Sequence, residues 1–165
     1  MPVLFLILLG IADLGRVYTS AVAVEAAARE AADYGSFATD QWTSASVSAT
    51  VDEMKRRACV AAAGSHLEGY SQADPGDESS CTNPTFTCTL ERGGFSADCV
   101  ASGGSVAGAD CSLHATDPPC TVHVRMTYDF QTFFAIPPMP TSIAIVRDSR
   151  FRVSGLVPPT PPPGP

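Results

Sequence analysis

The N-terminal 38 residues constrain the fold most, because an apolar run continues there directly into a long helical pattern. The run extends from Met1 to Ala12, and an alanine-rich segment follows it. Glu25 with Arg29, and Arg29 with Asp33, are charge pairs spaced four residues apart, as on the flank of a helix. Small or apolar residues recur at steps of three and four on one stripe, namely Leu14, Val17, Ala21, Val24, Ala28, Ala31 and Gly35. The pattern predicts one helix over this whole segment, apolar first and amphipathic afterwards.

The apolar run is shorter than a membrane span, because a span takes roughly 20 apolar residues and the run ends before Asp13. A secretory signal peptide has a basic region before its apolar core and a small-residue cleavage site after it. Neither feature accompanies this run, and the helical pattern continues through Arg16. We expect a membrane helix whose first residues precede Met1, and a signal peptide is the alternative.

Two blocks of this segment carry a family resemblance. Residues 2–16 end with Gly-Ile-Ala-Asp-Leu-Gly-Arg, and residues 26–35 begin with Ala-Ala-Ala-Arg-Glu. Together they resemble the N-terminal region of TadE-like proteins, which are minor pilins or pseudopilins of the tight-adherence branch of type IV pilus systems. The resemblance is strongest over residues 2–38, is weaker over residues 119–155, and says little about the middle of the chain.

The resemblance implies a single-pass protein of the cytoplasmic membrane whose C-terminal domain lies outside the cytoplasm or in an extracellular pilus. Such a subunit packs its first helix among those of other pilin subunits, in the pilus or its assembly platform, and primes assembly or caps the fibre. Family members resemble type IV prepilins in having a short basic leader and a processing site upstream of the apolar core. Processing is therefore expected here only with an in-frame extension that supplies this leader.

The first helix contains the residues expected to act in assembly. Its stripe of small residues between Ala21 and Gly35 suits close packing against other helices. Asp13 and Arg16 lie at the end of the apolar run, where they pair with each other or with a neighbouring subunit, and simple interfacial anchoring is the alternative. The complete set of predicted helix-packing and assembly residues is Asp13, Gly15, Arg16, Ala21, Ala28, Arg29, Glu30, Ala31 and Gly35.

Six cysteines indicate disulfides, because their number is even and no Cys-x-x-Cys pair provides the close ligands typical of zinc. Their spacing leaves the connectivity open. Disulfides favour a domain outside the cytoplasm, whereas Arg16, on the C-terminal flank of the apolar run, favours the opposite orientation. We give more weight to the cysteines. The disulfide candidates are Cys59, Cys81, Cys88, Cys99, Cys111 and Cys120.

A second helix is predicted after a polar segment that follows the first. Thr50 and Glu53 have the spacing of a capping box, and Ser44 or Ser46 is the alternative cap. The glycines that can end this helix are Gly64 and Gly69. Its core-facing stripe is predicted to comprise Val47, Val51, Met54, Ala58, Ala61 and Ser65.

Strict alternation of apolar and polar residues predicts half-buried strands in the C-terminal part. Residues 85–99 form a predicted hairpin, and residues 143–153 form a further strand. The clearest strand lies between them, with one apolar face made of Val122, Val124, Met126, Tyr128 and Phe130. The predicted fold is therefore α+β, with a long N-terminal membrane and amphipathic helix, a second helix and a small antiparallel sheet stapled by disulfides.

The remaining stretches are rich in Gly, Pro and polar residues. We predict an exposed loop at 71–83, a flexible insert at 101–119 held by cysteines, and an extended or disordered tail at 157–165. Residues 133–140 are apolar but broken by prolines, which indicates a crossover at the domain edge. An exposed patch that contacts another pilin subunit is the alternative. The predicted domain organisation is a helix at 1–38, an exported α+β domain at 39–156 and the tail.

The charge balance argues against nucleic acid as a partner, because the net charge is −7 and the basic cluster at 55–57 has acidic neighbours. His123 lies on the polar face of its strand and is expected to be a surface histidine, and the sequence contains no Gly-x-Ser-x-Gly, His-Glu-x-x-His or P-loop motif. We predict a structural protein and no enzyme, without cofactor, metal or small-molecule substrate. Its expected partners are the membrane, other pilin subunits and the pilus assembly platform. The alternative function is that of a membrane-anchored exported adhesin or ligand-binding module.

Overall fold

The computed structural model describes residues 2–37, 39–65, 67, 70–72, 80–106, 109–111, 118–132 and 141–154. Its helices are α1 (Pro2–Ser36) and α2 (Val47–Gly64), with a short 3₁₀ turn (Thr39–Trp42) between them. Its strands are β1 (Ser71–Gln72), β2 (Cys81–Asn83), β3 (Thr85–Arg92), β4 (Phe95–Asp98), β5 (Ser105–Val106), β6 (Ala109–Asp110), β7 (Thr121–Gln131) and β8 (Ser142–Arg152).

The main sheet has four antiparallel strands in the order β4, β3, β7, β8. β7 and β8 pair along all 11 residues of each strand, from Thr121 opposite Arg152 to Gln131 opposite Ser142. β1 pairs with β2, and β5 with β6, in two small ribbons. α1 lies against β7 and β8, and α2 packs beside α1. The predicted α+β class, with its long helix, second helix, small antiparallel sheet and disulfides, is confirmed.

The core lies between β7 and the second half of α1. The five apolar side chains predicted to share one face of β7, from Val122 to Phe130, are each at most 1% exposed. α1 meets them mainly with small residues that are fully buried, namely Val24, Ala27, Ala28, Ala31 and Ala32. Burying a Val or Met side chain contributes about 1.5–3 kcal/mol. The alanines contribute less each, but they let the helix backbone approach the sheet closely.

The start of α2 differs from the predicted capping box. Ser46 occupies the N-cap position, which is one of the two alternative positions, but its side chain makes no capping hydrogen bond. Thr50 lies inside the helix, where its buried hydroxyl donates hydrogen bonds to the carbonyl oxygens of Gln41 at 2.8 Å and Ser46 at 3.1 Å. Because this hydroxyl is engaged with the preceding turn, it does not cap the helix. The buried residues of α2 are Val47, Thr50, Met54, Ala58, Cys59 and Ala62, whereas Val51 and Ala61 are half-buried and Ser65 is exposed.

Two predicted loops contain ordered pairing. Within 71–83, β1 and β2 pair with each other, and Cys81 at the start of β2 is buried. Within 101–119, β5 and β6 pair, and Val106 is fully buried. Residues 73–79, 107–108 and 112–117 lie outside the described residues, as do the predicted crossover at 133–140 and the tail at 157–165.

All six cysteines form disulfides in the structure. Cys59–Cys81 ties α2 to β2, Cys88–Cys99 ties β3 to the residue after β4, and Cys111–Cys120 closes the segment that precedes β7. Each cysteine is at most 6% exposed. The three bridges therefore lie in or beside the core.

Candidate functional site along the N-terminal helix

α1 runs alongside β8 in the same direction, and about the first two-fifths of the helix continue past the end of the sheet. At one end of this pairing, the N–H of Ser154, just after β8, donates a 3.0 Å hydrogen bond to the carbonyl oxygen of Ser36. At the other end, the guanidinium carbon of Arg16 lies 5.0 Å from the ring centre of Phe130, which is opposite Ile143 in the sheet. Residues 2–15 precede this contact and extend for about 20 Å at the rise of an α-helix.

The projecting segment is apolar on all sides as far as Ala12. Eight of its large apolar side chains are 54–70% exposed, namely Val3, Leu4, Phe5, Leu6, Ile7, Leu8, Ile11 and Leu14. Soluble monomers rarely expose contiguous apolar patches larger than a few hundred Å². Within the described residues, α1 is long and apolar enough to cross a membrane, with a mean hydropathy of 1.6 over its most apolar window. Lipid, or the apolar surface of other helices, is the environment that removes such side chains from water.

A charged pair marks the junction between the projecting segment and the domain. Arg16 Nη1 donates a 2.9 Å hydrogen bond to Asp13 Oδ1, and both side chains are only about one-fifth exposed. The guanidinium also covers the ring of Phe130. Burial raises the pKa of Tyr128, a nearby core residue of β7, and the Arg16 charge partly opposes that rise. Asp13 and Arg16 thus neutralise each other at the point where α1 leaves the domain.

The small-residue stripe of α1 is covered by the chain's own domain. Ala21 is 8% exposed, Ala28 and Ala31 are fully buried, and Gly35 is buried against Met54 and Trp42. This placement differs from the expected use of the stripe in packing against other subunits. The opposite side of the helix remains open, because Tyr18 is 70% and Val22 is 50% exposed. A Cβ atom added to the exposed Gly15 would meet no other atom within 4 Å.

The charged residues near the middle of α1 bind within the chain. Arg29 Nη2 donates a 2.7 Å hydrogen bond to Glu25, and Glu30 lies 3.2 Å from Arg57 Nη1 of α2. The Arg57 guanidinium also lies 4.5 Å from the ring centre of Tyr34. Arg57 therefore joins α2 to α1 through its contacts with Glu30 and Tyr34.

A second carboxylate, that of Glu53, also binds Arg57. Arg56 donates two 2.6 Å hydrogen bonds to Glu53, and Arg57 Nε donates a third of 2.9 Å. The hydrogen bonds from Arg56, and to a smaller extent the one from Arg57, lower the pKa of Glu53 to about 2. Glu53 therefore stays ionised at any pH near neutrality and holds both arginines in place.

Residues 1–33 match the family model of TadE-like proteins. The resemblance found in the sequence is thereby confirmed over these residues, and it points to a protein associated with the tight-adherence pilus. No curated protein and no solved structure matches the chain.

The TadE-like segment comprises the projecting part of α1 and most of its packed part. It contains every predicted helix-packing residue except Gly35, which lies two residues beyond its end. The sheet, α2 and the three disulfides lie outside this segment. The similarity therefore concerns the helix and its junction, and it does not extend to the sheet, α2 or the disulfides.

A cross-strand charge network lies outside the TadE-like segment, on the face of the sheet away from α1. His123 Nδ1 is 3.1 Å from Glu91 Oε1, and its Nε2 is 3.1 Å from Asp148 Oδ1. Arg125 Nε donates a 2.8 Å hydrogen bond to the same Asp148 oxygen, and this bond is the main cause that lowers the pKa of Asp148. His123 lies on the polar face as predicted, but its side chain is only 11% exposed. The sequence did not reveal its partners, because they come from β3 and β8 and only the register of the sheet joins them.

This network joins three strands electrostatically and contains no arrangement that suits metal. Among the described residues, no group of three or more His, Cys, Asp and Glu side chains is placed to hold a metal ion. The cavity beside it, about 460 Å³ in volume, is lined by the β3–β4 turn and includes Glu91, Phe95 and Thr121.

Proposed function

We propose that this protein is a TadE-like minor pilin or pseudopilin that acts in assembly or capping of a tight-adherence pilus, with a structural and not a catalytic role. α1 anchors it in the cytoplasmic membrane, and the disulfide-stapled α+β domain lies outside the cytoplasm. The observation that carries the proposal is the division of α1 at Arg16. The part before this residue is apolar on all sides except for Asp13, and the part after it packs one side into the core of the domain.

The exposed side of α1 is the surface proposed to meet other pilin subunits. Its small-residue stripe is occupied by the sheet and α2, so a second helix has no access to it. Ile11, Leu14, Tyr18 and Val22 follow each other at steps of three and four residues and are 50–70% exposed. They form one apolar ridge on the side of the helix away from the domain. Such a ridge suits packing between parallel helices in a fibre or assembly platform.

The first experiment separates an assembly role from simple tethering. Residues 2–12 are replaced by an unrelated apolar helix of the same length, which leaves the Asp13–Arg16 pair, the packed half of α1 and the core intact. The proposal expects the protein to remain in the membrane fraction and to support few or no pili by electron microscopy. Normal piliation would instead favour the adhesin or ligand-binding module with a generic anchor.

The second experiment tests the ridge on the folded domain. Tyr18→Asp with Val22→Asp places charges on exposed positions, so the core and the disulfides are expected to persist. Piliation and co-purification with other pilin subunits are expected to fall strongly. Phe95→Asp is the matched control, because Phe95 is 63% exposed but lies at the β3–β4 turn, remote from α1's projecting part. Equal effects of the two changes would contradict a role of the ridge.

A further inference from the structure

β8 is an edge of the main sheet, and its outer side has no partner strand among the described residues. The N–H of Val153 donates a 2.9 Å hydrogen bond to the carbonyl oxygen of Cys120, and the carbonyl oxygen of Thr141 accepts one of 3.1 Å from the N–H of Thr132. Odd-numbered residues of β8 therefore direct their main-chain groups towards β7. Even-numbered residues direct theirs to the free side, because the two directions alternate along a strand. These free-side residues are Ala144, Val146, Asp148, Arg150 and Arg152.

This free edge is long and lacks several features that protect exposed strands in soluble proteins. Such strands are commonly short or bulged, or carry proline or lysine. β8 has 11 residues in an unbroken register with β7, and it contains neither proline nor lysine. Arg147 Nη1 donates a 2.9 Å hydrogen bond to the outward carbonyl oxygen of Val146 in an exposed contact. An open edge of this kind can bind an extended segment of another molecule through main-chain hydrogen bonds.

The opposite edge of the same sheet, formed by β4, is mostly closed. β4 has four residues, and the N–H of Cys99 after it donates a 3.2 Å hydrogen bond to the carbonyl oxygen of Cys88, so Ser96 and Asp98 are the β4 residues that face away from β3. The carbonyl oxygen of Asp98 already accepts hydrogen bonds from the N–H and the hydroxyl of Ser102, at 3.1 and 2.6 Å. The β4 edge of a second copy therefore offers little for β8 to pair with.

Two β8 edges are also poorly matched with each other. In an antiparallel pair, the α1 helices, which run with β8, would point in opposite directions and could not enter one membrane from the same side. The exclusion of such a pair rests on the anchoring role of α1 proposed above. In a parallel pair, the arginines of the two strands would lie close together, and like charges on facing strands are destabilising.

The charge of β8 indicates the chemistry of its partner. Three of the chain's ten Lys and Arg residues lie in this strand, namely Arg147, Arg150 and Arg152, although the chain as a whole has a net charge of −7. Its single carboxylate, that of Asp148, accepts a 2.8 Å hydrogen bond from Arg125. The side chain of Arg150 is 61% exposed. The free edge is therefore basic, and opposite charges on facing strands are stabilising.

We propose that the free edge of β8 binds an extended, acidic segment of a different protein, which adds a strand to the main sheet. The outward N–H and C=O groups of β8 supply the hydrogen bonds, and Arg150 and Arg152 face carboxylates of the added strand. In the proposed function, this segment belongs to another pilin subunit or to the assembly platform. The chain's own residues 157–165 do not suit the edge, because six of the nine are prolines, which have no N–H, and none is acidic.

The test follows the β8 amide groups of the full chain in detergent micelles by NMR. In the protein alone, the amide protons of even-numbered residues are expected to exchange with deuterium much faster than those of odd-numbered residues. The probe is a synthetic peptide of alternating Glu and Val, and the same peptide with Lys in place of Glu is the control. The acidic peptide at millimolar concentration is expected to shift the even-numbered amide signals and to slow their exchange, whereas the Lys peptide leaves them unchanged.

Three outcomes of this experiment would overturn the proposal. Slow exchange of the even-numbered amides in the protein alone would show that the edge is already paired. Absence of any shift with the acidic peptide would show that the edge does not take an added strand. Equal shifts with both peptides would show that charge does not select the partner.

Variants separate strand pairing from electrostatic adsorption. Val146→Pro removes an outward N–H but no hydrogen bond to β7, and it should weaken binding of the acidic peptide about fivefold. Arg152→Glu should weaken it by a similar factor, and this residue is preferred because Arg150 lies 3.6 Å from Glu91. Lys55→Glu makes the same change of net charge on α2 and should leave binding unchanged. If Arg152→Glu weakens binding and Val146→Pro does not, the peptide adsorbs without pairing and the proposal is wrong.

Folding of each variant is checked by mass analysis of the unreduced protein, which reports the three disulfides, and by slow exchange of the odd-numbered β8 amides. If Val146→Pro fails this check, Ala144→Pro replaces it, because Ala144 is also on the free side. Light scattering in detergent reports the oligomeric state. A dimer that the proline variant dissociates would show that a second copy occupies the edge, which overturns the proposed partner.

Membrane fractionation of cells that produce the full chain tests the anchor separately. A chain that binds the acidic peptide but is absent from the membrane fraction would retain the edge site and contradict the proposed anchor. A membrane-bound chain whose β8 amides do not respond to the peptide would retain the anchor and overturn the edge site.

Discussion

The indole Nε1 of Trp42 donates a 2.7 Å hydrogen bond to the carbonyl oxygen of Gly35, and this bond joins the end of α1 to the turn before α2. Trp42 is fully buried, and Gly35 leaves the space that its ring and Met54 fill. The last carbonyl groups of a helix have no partner within the helix. The tryptophan therefore satisfies one of them while it packs between the two helices.

Substituting Gly35 tests the tightness of this contact. A Cβ atom there would lie 2.8 Å from Met54 Sδ and 3.2 Å from the ring of Trp42. The overlap is expected to outweigh the better helix propensity of alanine, so Gly35→Ala should lower the free energy of unfolding by about 1 kcal/mol. Gly15→Ala, with open space around it, is the matched control and should raise stability by up to about 1 kcal/mol. Denaturation in detergent, followed by Trp42 fluorescence, measures the free energy of unfolding of both variants. If Gly35→Ala is as stable as Gly15→Ala, the Met54 side chain moves away without loss of stability, and the predicted overlap is wrong.

Gly103 and Gly104 form a second matched pair. Both have positive φ angles, +60° and +83°, but a Cβ atom on Gly104 would overlap the carbonyl group of Trp42, whereas one on Gly103 would meet nothing within 4 Å. Gly103→Ala should therefore lower the free energy of unfolding only by the strain of a left-handed backbone conformation, about 1–2 kcal/mol. Gly104→Ala must also displace backbone atoms, so its cost should be at least twice as large. The same denaturation experiment compares them, and similar costs would contradict the close approach of this glycine to Trp42.

The strands and the projecting helix could be predicted from the sequence because their signals are local. The alternation around Tyr128 requires one buried and one polar face whatever the partner strands are. The role of Thr50 was not predictable in this way, since its hydroxyl is taken by the Gln41 carbonyl of a turn whose path the sequence pattern does not give. Local spacing alone made Thr50 and Glu53 look like a capping box.

In the candidate site too, residue spacing predicts which side chains share a face of the helix but not what covers that face. Periodicity identified the small-residue stripe from Ala21 to Gly35, but it does not say whether the covering surface belongs to the same chain or to another. Here the chain's own sheet covers it. The partners of His123 and the pairing of the cysteines likewise depend on strand order and register. Neither quantity is encoded in the spacing of the residues themselves.

The three disulfides should differ in their effect on stability. In the chain-entropy description, a bridge stabilises more when it closes a longer loop. Cys59–Cys81 spans 22 residues and Cys111–Cys120 spans 9, so replacing each pair by alanine should cost about 3.4 and about 2.6 kcal/mol. Denaturant titrations of the two variants measure the order. Peptide mapping of the unreduced parent checks the pairing first, and fragments that join any other two cysteines would refute the connectivity.

The interaction of Glu53 with Arg56 and Arg57 should make the free energy of unfolding fall in acid over a defined pH range. Its pKa is lowered from an ordinary value of 4.5 to about 2 in the folded protein, mainly by the Arg56 hydrogen bond. A carboxylate with a depressed folded-state pKa stabilises fully above its unfolded pKa, so this contribution is complete above pH 4.5 and is lost as the pH falls through 2. Because the pair is near the surface, Glu53→Gln should cost at most about 1 kcal/mol at neutral pH and nothing below pH 2. Glu25→Gln, which alters an exposed pair within α1, should show a smaller change, and a Glu53→Gln deficit that does not vary between pH 6 and acid would contradict this assignment.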